Sequence, residues 1–279
     1  MKKQLILTAA ALFLGLNCAF GATFVPSDRV TTVGEVILAK NNLPSVTFKV
    51  TDTQVSNADI ASTGVLYVSK DLLNYAGSDT EVAAIIADEL GAIINASASK
   101  NKAFSNVLST IASNADSEQT QNALLLAKQI SMNNMSTKQA MNADATAVDL
   151  MMQSGYNPLS LIVVLGKMDG SLVETLAGKP ANIKRTMGIY DYISYNYPSQ
   201  LKVGYNCREY RNFLEYIQPT ITKRESSKRE LNKFKKQQEK LKKQRARDLR
   251  TYKATGGTTG WDASYTILKT LMNSTEISK

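Results

Sequence analysis

The chain of 279 residues carries a formal net charge of +9, is 43% apolar, and contains two cysteines and no histidine. Length and apolar content provide for one sizeable domain with an appendage rather than two full domains. The missing imidazole excludes every metal site or acid–base pair that depends on histidine.

Lys2 and Lys3, the apolar run from Leu5 to Leu16 and the small-x-small pattern Ala19-Phe20-Gly21 read as a secretory signal cleaved after Gly21. The run is too short to span a bilayer comfortably. Cys18 raises a lipoprotein alternative, but Gly15-Leu16-Asn17 ahead of it matches the lipid-attachment pattern poorly. Cleavage leaves Cys207 as the only cysteine and removes any intramolecular disulfide. The mature protein is therefore expected outside the cytoplasm, periplasmic or secreted.

After the signal, Val30 to Lys40 has helical periodicity, and Val46-Thr-Phe-Lys-Val50 alternates as a strand with Val46, Phe48 and Val50 on one face. Gly64 to Ser69 reads as a second short strand. Ser78-Asp-Thr-Glu81 is a capping box that opens a helix to about Ala96. Phe104 to Ile130 is a further helical stretch. Another helix follows Ser136 and stops at Gly155, with Pro158 just beyond, and Leu159 to Met168 begins the next. The fold class expected is α+β, mostly helical, with a small N-terminal sheet.

Two helices carry acids on their apolar faces. Glu89 falls on or beside the stripe Val82, Ile85, Ile86, Leu90 and Ile93. Asp144 falls within Ala140, Ala143, Ala147, Val148 and Met151. A carboxylate facing a core costs several kcal/mol unless it is paired, ligates a metal or is protonated. The two positions therefore suggest a site or its remnant, the alternative being that both lie at stripe edges and touch water.

Thr63-Gly64-Val-Leu-Tyr-Val-Ser-Lys-Asp-Leu-Leu73 followed by Thr80-Glu-Val-Ala-Ala-Ile-Ile-Ala-Asp-Glu-Leu-Gly-Ala92 resembles the core of the HtpX/BepA-type zinc metallopeptidases, metallopeptidase family forty-eight. Asn142-Ala-Asp144 and Met151-Met-Gln-Ser-Gly-Tyr-Asn-Pro158 are similar to the family's second motif, Glu-x-x-x-Ala-Asp, and its helix stop. The resemblance runs from about Val46 to Met168. It implies a zincin-like (gluzincin) domain, with zinc as the family's cofactor. It places the two ligand histidines on Asp88 and Ala92, the ligand glutamate on Ala140, the general base on Glu89 and the supporting acid on Asp144. The family's later His-Pro has its nearest match in Tyr197-Pro198. Alanine carries no donor, so two of three protein ligands are missing and no metal site is intact. Glu89 is left as a vestigial general base with no metal-activated water. Asp88, Glu89 and Asp144 could in principle hold a hard cation, but Asp88 and Glu89 diverge by about 100° around their helix.

From Thr222 to Lys253 the composition changes. Fourteen Lys/Arg stand against four acids, a net of ten positive charges where the whole chain carries nine. The remainder is nearly neutral, so the basic character is local. The segment favours helix, with Leu231, Phe234, Leu241 and Leu249 as a narrow apolar stripe interrupted by Gln237, Gln238 and Arg245. It reads as a solvated helix or a disordered basic arm, with an anionic membrane surface or acidic protein as possible partner. Few aromatic residues accompany the charges, which argues against nucleic acid. The tyrosine-rich stretch from Tyr190 to Tyr216 reads as helix packing or a contact surface.

The organisation expected is a signal over 1–21, a peptidase-like domain over 22–221, the basic segment over 222–253, and a linker with a short apolar tail over 254–279. The function expected is an exported pseudopeptidase binding peptides or envelope proteins without a cofactor. The alternatives are an active metalloendopeptidase with unconventional ligands, or a structural protein attached to anionic surfaces through 222–253.

Overall fold

Ser78, Gly77 and Glu81 set the start of the helix around which the domain is built. In the computed structural model, which describes residues 23–52, 64–98, 137–168 and 182–254, the Ser78 hydroxyl accepts from the Glu81 N–H at 3.3 Å. Glu81 reaches back one residue further than a capping box requires and accepts from Gly77 N–H at 2.6 Å. Its carboxylate also holds Lys167 Nζ at 2.7 Å and Tyr205 Oη at 3.2 Å.

The elements are α1 (Pro26–Lys40), β1 (Thr47–Thr51), β2 (Val65–Ser69), α2 (Lys70–Leu73), α3 (Asp79–Ala98), α4 (Thr137–Gln153), α5 (Leu159–Lys167), α6 (Asn182–Asn196), α7 (Pro198–Val203), α8 (Arg208–Ser226) and α9 (Lys228–Ala254). The chain is mostly helical, as its periodicity requires. β1 and β2 pair in parallel, with Thr47 opposite Val65 and Thr51 opposite Ser69. Val46, Phe48 and Val50 pack on the core from one face of β1, the alternation read from sequence. The signal segment, the helical stretch at 104–130 and the tail beyond 254 lie outside the described residues.

α3 and α4 make the most extensive contact between any two elements, and Gly91 is the reason they can. A Cβ at that position would lie 2.5 Å from the Ala143 carbonyl oxygen and 3.2 Å from Ala147 N, so the helix backbones nearly touch. Asn95 Nδ2 crosses the same seam to Thr146 Oγ1 at 2.9 Å. α4 ends in a Schellman motif: Tyr156 N–H donates to Met151 O at 3.0 Å and Gly155 N–H to Met152 O at 3.2 Å, with Gly155 at φ 79°. The turn that follows is held by Asn157, which accepts from Leu159 N–H at 3.0 Å and donates to Gly204 O at 2.8 Å. α1 packs on α3, α5 on α3 and α6, α6 on α4, and α8 on α5. Ile37, Leu66, Ile86, Leu90, Leu150 and Ile162 are among the side chains fully enclosed between them.

The basic segment is helix, and it is docked. α8 runs through the point where the composition changes, and Ser227 separates it from α9 in extended backbone. α9 folds back along α8 and reaches α6 and α3. Phe234, Gln238 and Arg245 are buried in that seam. Gln238 and Arg245, which interrupt the apolar stripe in the sequence, are inside the interface, so the solvated-arm reading gives way to an integrated helix. Cys207 is a free thiol at the start of α8. Its Sγ accepts from Tyr210 N–H at 3.4 Å, and burial pushes the thiol above its ordinary pKa.

Candidate functional site

Asp88 on α3 and Asp144 on α4 come together across the Gly91 seam, and Arg185 from the first turn of α6 is inserted between them. The guanidinium Nε donates to Asp144 Oδ1 at 2.8 Å and Nη2 to the same oxygen at 2.6 Å. Nη2 is shared with Asp88 Oδ1. The Arg185 side chain is 5% exposed, Asp144 7% and Asp88 16%. Burial works against the charged guanidinium, but the carboxylates of Asp144 and Asp88 more than reverse that and hold its pKa above the ordinary value. A cation in the first turn of a helix also opposes the helix dipole, so the two acids are what keep it there. The third nitrogen, Nη1, is buried without a hydrogen-bond partner.

Glu89 is half-buried on α3 and is not a partner of that guanidinium. Its position at the edge of the stripe, with Val82, Ile86 and Leu90 fully enclosed, answers the question left by periodicity. Asp144 is within the core, and Glu89 touches its boundary. Ala92 lies one turn beyond Asp88, and Ala140 one turn before Asp144, both half-buried. The cluster therefore has a carboxylate and a methyl group on each of two facing helices, with a guanidinium across the carboxylates.

A second buried centre lies one and a half turns along α4. Asp149 has no exposed side-chain surface. It accepts from Tyr197 Oη at 2.7 Å, from Tyr192 Oη at 2.8 Å and from Arg245 Nη2 at 2.7 Å. Burial raises the Asp149 carboxyl, with Arg245 the strongest opposing influence. Burial also raises the Tyr192 and Tyr197 hydroxyls, so both remain donors. Tyr197, the nearest match to the histidine of a family His-Pro, thus serves this structural centre and forms the N-cap of α7 ahead of Pro198.

Arg185, Asp149 and Arg245 are the residues that sequence reasoning did not assign a role. The signal was partial. α4 is buried from Asn142 through Met151, so both of its acids needed cations, but those cations come from 41 and 96 residues away.

A pocket of about 800 Å³ opens between α5, α6 and α8, with Ile162, Ile183 and Phe213 as its apolar surface and Lys167, Arg208 and Glu209 among its charged residues. None of Asp88, Asp144 and Arg185 lines it, although Thr186 does.

Fold and cluster together define a mainly helical domain in which acidic residues of two abutting helices converge on one guanidinium. The chain belongs to peptidase family M48, whose family model matches residues 26–198, from α1 to the start of α7 and more than half of the chain. No curated protein and no solved structure matches it.

That family is generally zinc-dependent, and the described residues at the ligand positions that the resemblance assigns do not fit zinc. At the positions that the resemblance assigns to ligands, Ala92 and Ala140 offer no donor atom, and the Asp88 carboxylate is held by Arg185. Among the described residues no group of three or more His, Cys, Asp and Glu side chains could hold a metal ion.

Proposed function

We propose that this protein is a non-hydrolytic M48-family member of the HtpX/BepA type, a gluzincin scaffold exported from the cytoplasm that binds peptides or envelope-protein segments without cutting them. The observation that carries the reading is the Arg185 guanidinium seated on Asp88 and Asp144. An internal cation there supplies the positive charge that the two acids require and leaves Glu89 without a Lewis acid to work with. Binding needs no metal: an extended segment can pair with a sheet edge, and the pocket between α5, α6 and α8 has an apolar surface with charged groups around it.

Two measurements test this. Mass spectrometry of the exported chain, purified without a His-tag, supplied with zinc and then dialysed, should find almost no bound metal. One tightly held zinc per chain would revive the active-peptidase alternative, with Glu89→Gln as the variant that should abolish chelator-sensitive cleavage. A peptide array should retain ligands that stay intact on incubation. An array that retains nothing would remove the binding half of the proposal.

The same reasoning predicts how zinc binding could be restored. Asp88→His, Ala92→His and Ala140→Glu together should bind no zinc while Arg185 is present, and should acquire about one zinc per chain when Arg185→Ala is added. Zinc uptake by the triple variant alone would show that Arg185 does not occupy the position.

A further inference from the structure

The charges of the basic segment are divided between the domain interior and solvent. Arg224 is turned inward onto Asp191 at 2.8 Å and over the Phe234 ring at 4.0 Å. Arg245 is buried on Asp149. Of the acids between Lys228 and Arg247, Glu239 is drawn to the Tyr195 hydroxyl at 2.7 Å, and Glu230 is half-buried; Glu225, on α8, is exposed. What α9 leaves outside has one sign. From Lys228 to Arg247 its ten exposed residues are eight Lys or Arg and two neutral amides, Asn232 and Gln237.

These cations are also aligned. At about 100° per residue, Arg229, Lys236, Lys240, Lys243 and Arg247 fall within a sector of about 60°, and the ridge they form is about 27 Å long. Phe234, Gln238 and Arg245 point almost directly the other way, into the domain. No ion pair among the described residues engages any of the five. Because α9 is pinned by Arg245 and by the edge contact of Phe234 with Tyr195 at 6.0 Å, the row is held in place before any partner arrives, which lowers the ordering cost of binding.

We propose that this ridge docks the protein on the surface of an anionic membrane. The five cations form one row along a single face of the helix, which suits a plane of charge better than a pocket. It carries no aromatic side chain on which a base could stack. The apolar seam of α9 is committed to the domain, so the helix lies on headgroups without inserting, and attachment is electrostatic and reversible. This does not depend on the peptide-binding reading, since it uses none of the same residues.

Co-sedimentation of the purified chain with phosphatidylcholine vesicles containing about 30 mol% phosphatidylglycerol tests it, against vesicles of phosphatidylcholine alone. Binding is expected to the anionic vesicles only, at about 0.05 M salt, and to be lost at about 0.5 M. The variant Lys236→Glu/Lys240→Glu/Lys243→Glu should partition at least about a hundredfold more weakly. A variant with the same change in net charge, Lys40→Glu/Lys184→Glu/Lys202→Glu, alters exposed sites on α1, α6 and α7 and should stay within about threefold of the parent. Circular dichroism of both variants would establish that each retains its helices. Equal losses in the two variants, or equal binding to neutral vesicles, would overturn the proposal. Binding of a short DNA duplex with no vesicle binding would overturn it too and assign the ridge to nucleic acid.

Discussion

Arg185 and Arg245 each deliver a guanidinium to a carboxylate of α4, at positions about 7.5 Å apart along the helix axis, yet the two centres are finished differently. The Arg245 centre is closed: Asp149 has no exposed side-chain surface and accepts from one guanidinium and two tyrosine hydroxyls. The Arg185 centre shares one guanidinium between two carboxylates and keeps Asp88 partly exposed, while each arginine has one buried nitrogen without a partner, Nη1 of Arg185 and Nε of Arg245. A fully enclosed carboxylate with three donors suits a group whose role is to join α9 to the domain. Asp88 and Asp144, bridged by one guanidinium, join α3, α4 and α6 instead.

The largest effect should come from Arg185→Leu. It removes the guanidinium shared by two carboxylates, and removing one partner of a buried ion pair typically costs about 3–5 kcal/mol. Urea unfolding should show a loss in that range, and adding Asp88→Asn and Asp144→Asn should recover part of it. A loss under about 1 kcal/mol would mean that the acids are balanced elsewhere and that the comparison between the centres is wrong.

Arg245→Leu should cost somewhat less, about 2–4 kcal/mol, because Asp149 keeps two hydroxyl donors. The two centres also separate by pH. Burial holds the Asp149 carboxyl above its unfolded value, so the native state binds more protons than the unfolded chain between the two pKa values. Stability from this group is fully present below the unfolded value of about 3.9 and is lost as pH rises through the folded one. Removing Arg245 takes away the strongest influence opposing burial and extends that window upward. The variant's deficit should therefore be largest near pH 7 and shrink as pH falls toward about 4. A deficit independent of pH would show that Asp149 does not change its protonation across that range.

Much of this architecture could be read from the chain. The capping box at Ser78, the stop at Gly155 and the alternation of Val46, Phe48 and Val50 are local signals, each set by a few neighbouring residues, and each appears where the pattern puts it. Asp88, Glu89 and Asp144 were legible because acids on apolar faces need an explanation, and Ala92 and Ala140 because a resemblance gave those positions a role. Arg185 and Arg245 were not legible. A buried arginine is chosen by a carboxylate distant in sequence, and nothing in its own helix distinguishes it from a solvated one. Arg245 reads as an interruption of a stripe because polarity alone does not reveal that its partner, Asp149, lies at the bottom of the same seam.

The smallest effect, and the sharpest division between the centres, should come from Gly91→Ala. The added methyl would sit 2.5 Å from the Ala143 carbonyl oxygen, which is backbone and cannot rotate away, so α3 and α4 must separate slightly. Overpacking of this kind typically costs about 1–3 kcal/mol. The separation acts directly on Asp88 and Asp144, which approach each other across that seam, whereas the partners of Asp149 come from α6, α7's cap and α9. Double-mutant cycles should therefore divide. Gly91→Ala with Arg185→Leu should depart from additivity by more than about 0.5 kcal/mol, because the first change already loosens the pair that the second removes. Gly91→Ala with Arg245→Leu should come closer to additivity, within about that amount, because Arg245 Nη2 meets the seam only at Thr146 Oγ1, at 3.4 Å. If both pairs coupled equally, α4 would be transmitting strain along its length, and the two arginines would belong to one network rather than two.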